Sequence, residues 1–185
     1  MADSGTYEFG PASGRVLIKT GRIGLAARAG HDLTLEITDW QARVTTPADD
    51  GGGLADATVT ADLGLGSLTV REGTGGAKPL TDKDRRDIKK TMSGILGGGT
   101  ASFTSSRIVP AAGGGGIEGT LTLNGKTGPL RLQVSESAPG QYRGTATVLQ
   151  SAFGIKPYVG FFGALKIKDE VGIEVEVTLP DPAAA

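Results

Sequence analysis

Cysteine is absent from the chain, which excludes a disulfide framework and all thiolate chemistry. Histidine occurs once, at His31, and no spaced carboxylate cluster accompanies it, so no metal centre is expected. An excess of charge of one sign is missing too: 19 Lys and Arg face 20 Asp and Glu, for a net charge of -1. Phosphate backbones attract such a chain weakly, and nucleic acid is not an expected partner. No stretch approaches the roughly 18 apolar residues of a spanning helix, so no membrane span is expected. The opening Met-Ala-Asp-Ser-Gly-Thr-Tyr has no basic region followed by an apolar run, which reads as a cytoplasmic protein. A Gly-x-Ser-x-Gly elbow is lacking, no Gly-rich run has the Gly-Lys-Ser/Thr ending of a phosphate loop, and no cofactor is implied.

Glycine, by contrast, is abundant, with 31 residues that are neither periodic nor confined to the tails. Many fall between short segments in which apolar and polar residues alternate, as turns between strands require. In the clearest run Ala55, Ala57, Val59, Ala61 and Leu63 share one face, opposite Asp56, Thr58, Thr60 and Asp62. The last is nearly as regular, with Val171, Ile173, Val175, Val177 and Leu179 opposite Glu174, Glu176 and Thr178. A phase shift between Ile37 and Trp40 predicts a bulge or bend near Thr38-Asp39. Asn124-Gly125 predicts a tight hairpin. Asp49–Gly53 and Gly113–Gly116 read as longer loops, and 181–185 as a frayed tail to a single domain over 1–180. One segment, 81–96, is different. Ile88, Met92, Ile95 and Leu96 form a helical stripe, and Thr81 with Asp84 resembles a capping box. The expected fold is therefore all-β, an antiparallel barrel of about eight strands with one amphipathic helix.

Polar groups that could act inside such a barrel are few. His31 shares parity with Leu33, Leu35 and Ile37, so it points inward if its strand extends back. Three uses are open to it: a rim histidine bonded to a neighbour, a contact with a polar group of a ligand, or a general acid or base. Asp32 falls on the opposite face and is a poor orienting partner. Asp82, Asp84 and Asp87 read as favourable charges at a helix start. Arg85, Arg86, Lys89 and Lys90 read as a solvated helix face, with an anionic head group as the alternative contact.

Two features point to a ligand. The Gly/Pro-broken run from Phe153 to Gly163 holds Phe153, Tyr158, Phe161 and Phe162, four of the nine aromatics. It reads as a plug for the core, a lid touching a ligand, or both. The strand Tyr142, Gly144, Ala146, Val148, Gln150 has small residues at its middle and an amide at its end. An eight-stranded barrel is either filled by its side chains or holds one small ligand, and these small residues, with Ala55, Ala57 and Ala61, tilt the choice toward a cavity.

Several motifs together resemble the YceI-like, polyisoprenoid-binding family. They are Tyr7, Pro11 and Ser13 before Val16-x-Ile18, then Gly30-His31-Asp32-Leu33, Arg86-Asp87-Ile88 and Ala101-Ser102-Phe103-Thr104-Ser105. Ile117 through Gly125, Gln150 through Pro157, and Leu165-Lys166-Ile167-x-Asp169-Glu170-Val171 complete the set, so the likeness runs from Tyr7 to Leu179. The resemblance implies a lipocalin-like extended barrel, with a helix at one side and a long isoprenoid or similar lipid held inside. By position it brings His31, Met92, Ile95, Phe103, Gln150, Phe153 and Tyr158 near that lipid. Tyr142, Phe161 and Phe162 join them from the reading of the strand and the aromatic run. Lys89 or Lys90 stands where the family often has a histidine. The leading expectation is a carrier, storage or sensing protein for an apolar lipid. The alternatives are a cyclase- or isomerase-type enzyme using His31 and Gln150, and a filled structural barrel. The oligomeric state is left open, a homodimer included.

Overall fold

Alternation becomes strand wherever apolar side chains gain by facing a common interior. The computed structural model describes residues 5–47 and 53–179. In chain order its strands begin with β1 (Gly5–Phe9), β2 (Gly14–Thr20), β3 (Arg22–Ile23), β4 (Asp32–Ile37) and β5 (Trp40–Thr46). There follow β6 (Thr58–Gly64), β7 (Leu68–Thr74), the helix α1 (Asp82–Leu96), β8 (Thr100–Ala111) and β9 (Gly114–Leu123). The chain closes with β10 (Lys126–Ala138), β11 (Gln141–Leu149), β12 (Val159–Gly160), β13 (Leu165–Ile167) and β14 (Glu170–Thr178).

Eleven strands form one antiparallel sheet in the order β1-β5-β6-β8-β9-β10-β11-β14-β2-β4-β7. The order is open on paper but closed in the chain. β4 pairs with β7 and runs on into β5, which pairs with β6, and β6 runs on into β7. The two ends of the order are thus halves of the same bent strands. Counted by passes of the chain, the wall has eight: β1–β2, β4–β5, β6–β7, β8, β9, β10, β11 and β14. This is the expected extended barrel, with more strand segments because three passes are bent.

The bend falls at Thr38-Asp39, where the phase shift predicted it. Ser67 pins it: its hydroxyl accepts from the backbone N–H of Thr38 (3.0 Å) and Asp39 (2.9 Å) and donates to the Gly64 carbonyl (2.7 Å). Turning the strand there lets both Ile37 and Trp40 face inward although three residues separate them. The Asn124-Gly125 hairpin also forms, both residues taking positive φ (53° and 71°) as a type I′ turn needs.

Two sequence expectations are corrected. The strand read from Ala55 starts at Thr58, because Gly53–Asp56 is a 3₁₀ turn that leaves Ala55 exposed. The loop read at Gly113–Gly116 is mostly strand, since β9 begins at Gly114. Those glycines serve close backbone approach rather than a turn. A Cβ on Gly114 would stand 2.0 Å from the Val134 carbonyl oxygen, and one on Gly115 2.4 Å from that of Val109. The loop from Asp49 and the tail 181–185 lie outside the described residues, Gly53 excepted.

Helix α1 starts where the capping box was read. Thr81 Oγ1 accepts from Asp84 N (3.2 Å), and the Asp84 carboxylate accepts from Thr81 N (2.9 Å). It ends at Gly97, in the left-handed conformation (φ 64°) that caps a helix. The helix lies against β7, the end of the sheet order. There Arg85 donates to the carbonyls of Val70 (2.9 Å) and Arg71 (3.1 Å), covering part of an otherwise open edge. No helix among the described residues is long and apolar enough to cross a membrane.

Candidate functional site

The inward faces of the wall do not meet in the middle. Phe9, Trp40, Phe103, Leu121, Leu130 and Phe153 belong to one buried cluster. Yet none of the described large side chains is sealed completely, because the wall looks onto open space. That space is a cavity of about 960 Å³ running through the barrel. Its wall repeats the sequence alternation: Val16 and Ile18 of β2, Leu33, Leu35 and Ile37 of β4, Val59, Ala61 and Leu63 of β6. Val171, Ile173 and Val175 of β14 continue it. Ala42 and Ala61, direct partners across β5 and β6, both line it, and their short side chains leave the room that larger ones would fill. The helix contributes Ile88, Met92, Ile95 and Leu96, the whole predicted stripe.

The mouth is built from four segments, namely 28–31, 77–80, the inner face of α1, and 158–161. Backbone contacts fasten the chain just before the first segment to the chain just after the last. Ala26 N donates to the Ala164 carbonyl (2.9 Å), and Gly24 (φ 107°) sits where a Cβ would be 2.3 Å from that same oxygen. Ala77 N donates to the Arg28 carbonyl (2.9 Å), adding the second segment.

Of the ten candidate residues, His31, Met92, Ile95, Phe103, Gln150, Tyr158 and Phe161 line the cavity, while Tyr142, Phe153 and Phe162 do not. Tyr142 has the right parity but the wrong depth. It pairs with Val177, at the opposite end of β11 from Gln150. Burial, and then the Glu136 carboxylate, raise its phenol above the usual range. Phe153 is 4% exposed and packs over Gly128 in the core, the plug half of the two readings of the aromatic run. Phe162 points to solvent, fully exposed at 113%. Phe161 (φ 48°) and Phe162 (φ 54°) both adopt the left-handed backbone, which costs a bulky residue about 1–3 kcal/mol.

The polar groups around the cavity are largely engaged with the protein. His31 Nε2 stands 2.7 Å from the Lys78 carbonyl. A carbonyl only accepts, so Nε2 carries the proton and His31 is a half-buried rim histidine. Asp32 faces away, accepting from Arg22 N (2.8 Å). Gln150 lies in a 3₁₀ turn after β11, and its amide donates to the Lys168 carbonyl (2.9 Å). Asp84 is held by Thr81 and Asp87 by Lys83 (2.6 Å). Arg28, also on the mouth, has no acidic partner among the described residues, and sequence reasoning passed it over because nothing local marks it. No cluster of metal-ligating side chains occurs among the described residues.

The described chain is similar in fold to two solved structures. One is BcnA from Burkholderia cenocepacia, at TM-score 0.60 and 18% identity, over 90% of this chain and 96% of that one. The other is a polyisoprenoid binding domain from Saccharophagus degradans implicated in plant cell wall breakdown, at TM-score 0.55 and 11% identity. That match spans 97% of this chain and 99% of the other. No curated protein matches the sequence. The family model for the YceI-like domain matches residues 25–179, from the mouth segment through the last strand, and the chain belongs to that family.

Proposed function

We propose that the protein binds an isoprenoid or another long apolar lipid inside the barrel, as a carrier, store or sensor. The observation that carries this reading is the apolar cavity of about 960 Å³, at the upper end of the roughly 300–1,000 Å³ of small-molecule sites. A wall of Leu, Ile, Val and Ala offers a lipid only contact area. Ten buried methylenes contribute about 8 kcal/mol at about 0.8 each, against an association cost of about 4–15 kcal/mol. Short chains therefore bind poorly and long ones well. His31, Met92, Ile95, Phe103, Gln150, Tyr158 and Phe161 are the proposed contacts, with the polar end of the lipid toward His31 and Arg28 at the mouth.

Binding is preferred to catalysis because the two polar groups offered for chemistry, His31 and Gln150, already bond backbone carbonyls. Native mass spectrometry tests the reading. The protein is purified, then incubated with an isoprenoid alcohol or a long-chain fatty acid. One-to-one adducts are expected with either, since apolar walls discriminate weakly by single methylenes. Absence of any adduct, native or added, overturns the proposal.

A further inference from the structure

We propose that the tip beside the cavity mouth docks on the surface of an anionic lipid bilayer, so that a lipid passes between membrane and barrel without crossing water. What is exchanged rests on the lipid-binding reading above; the docking stands on the tip itself. Two segments build the tip, 21–31 and 152–168. Together they hold Arg22, Arg28, Lys156, Lys166 and Lys168 and not one Asp or Glu, in a chain of net charge -1. Arg22 is paired with Asp32 (3.7 Å) and donates to the Thr74 carbonyl (2.7 Å). The other four have no acidic partner among the described residues, and all are exposed.

The same segments expose Ile23, Leu25, Tyr158, Val159, Phe161 and Phe162. These are arranged, not scattered. In the small sheet β12-β13-β3, Lys166 pairs with Val159 on one side and Ile23 on the other. Leu165 and Ile167, its neighbours in β13, line the cavity, so the row Val159, Lys166, Ile23 faces outward. An apolar row interrupted by an amine suits a bilayer interface, where the alkyl groups enter the acyl boundary and the cation meets the phosphates. Exposed apolar groups so concentrated mark an interaction surface.

Geometry selects a bilayer over a second copy of the chain. Phe162 projects beyond its surroundings, and Leu25 is equally bare at 102%. Projecting side chains fit a soft, deformable phase, whereas a self-complementary dimer face must match itself shape for shape. The left-handed backbone at Phe161 and Phe162 is what turns the second ring outward, and Phe162 makes no packing contact that offsets the strain. Phe161 also lines the cavity, so tip and hollow are continuous.

The test is flotation of the full chain with phosphatidylcholine vesicles, with and without phosphatidylglycerol, comparing wild type with Phe162→Gly. Binding is expected to rise with the anionic lipid and to weaken with salt. Removing a Phe that inserts should lower the partition coefficient about tenfold or more. The melting temperature should stay level or rise, because glycine accepts the left-handed conformation without strain. Cavity occupancy is read separately by native mass spectrometry. Vesicle binding by a protein whose cavity takes no lipid upholds docking and removes the lipid-binding reading. A lipid-filled protein that ignores both vesicles overturns docking alone. Equal binding by wild type and Phe162→Gly overturns it too. So does a concentration-dependent dimer that Phe162→Gly dissolves while neither protein binds vesicles.

Discussion

At the scale of single residues, two small side chains shape the wall out of proportion to their size. The Ser67 hydroxyl satisfies two backbone donors and one carbonyl at the bend between β4 and β5. Without it, two N–H groups of the exposed bend lose the hydroxyl that fixes their direction at the point where the barrel closes. Ser67→Ala should cost about 0.5–1.5 kcal/mol, the net worth of an ordinary hydrogen bond whose donors can turn to water, read as a lower urea midpoint with an unchanged slope. Gly119 works through space instead. Its missing Cβ would lie 2.3 Å from the Thr104 carbonyl oxygen and 2.6 Å from the Phe103 ring, which lies over it from the neighbouring strand. Gly119→Ala should destabilise by about 1–3 kcal/mol, and an unchanged midpoint would show that β8 and β9 separate freely. Neither role is legible in the sequence. Nothing about a Ser or a Gly says which distant backbone it will meet.

At the scale of elements, the sequence is most legible where a rule is local. The helix start at Thr81, the hairpin at Asn124-Gly125 and the inward faces of β2, β4, β6 and β14 each follow from residues close in the chain. Depth along the barrel does not. Parity put Tyr142 and Gln150 on one face of a strand, but a face has two ends, and only pairing across strands tells them apart. The aromatic run was likewise ambiguous, since its 3₁₀ turns send Phe153 to the core, Phe161 to the cavity and Phe162 to solvent. Elements also carry a pH dependence. The hydroxyl and then the backbone N–H of Thr81 hold the Asp84 carboxyl below its ordinary range, and those of Ser151 do the same for Asp169. Lowered values mean the ionised form is favoured by folding. The stabilisation is thus complete above the unfolded value of about 3.9 and is lost as pH falls through the lower folded values. Helix content should decline in acid below that range, and Asp84→Asn should show a shallower decline because it has less to lose. A variant whose acid profile matches wild type would remove Asp84 from the account.

For the whole molecule the balance is between a wall that closes and an interior that stays unfilled. Folding favours close packing, so a cavity of about 960 Å³ forgoes contacts that larger side chains would supply. Ala42 and Ala61 are the places to test this, as cross-strand partners that line the hollow midway along the bent ribbon. Ala61→Phe adds apolar surface where there is room, so the empty protein should be at least as stable as wild type. Its response to a lipid should differ. At a ligand concentration a hundredfold above Kd, binding adds about 2.7 kcal/mol to the folded state. For a domain of this size that raises Tm by about 5–10 °C, at about 2–4 °C per kcal/mol. Wild type should show such a rise with a long-chain lipid, and Ala61→Phe little or none, although its own Tm is not reduced. The pairing of the two measurements matters. A variant that is stable yet unresponsive locates the lipid inside the barrel, whereas one that is stable and still responds puts the lipid elsewhere on the molecule.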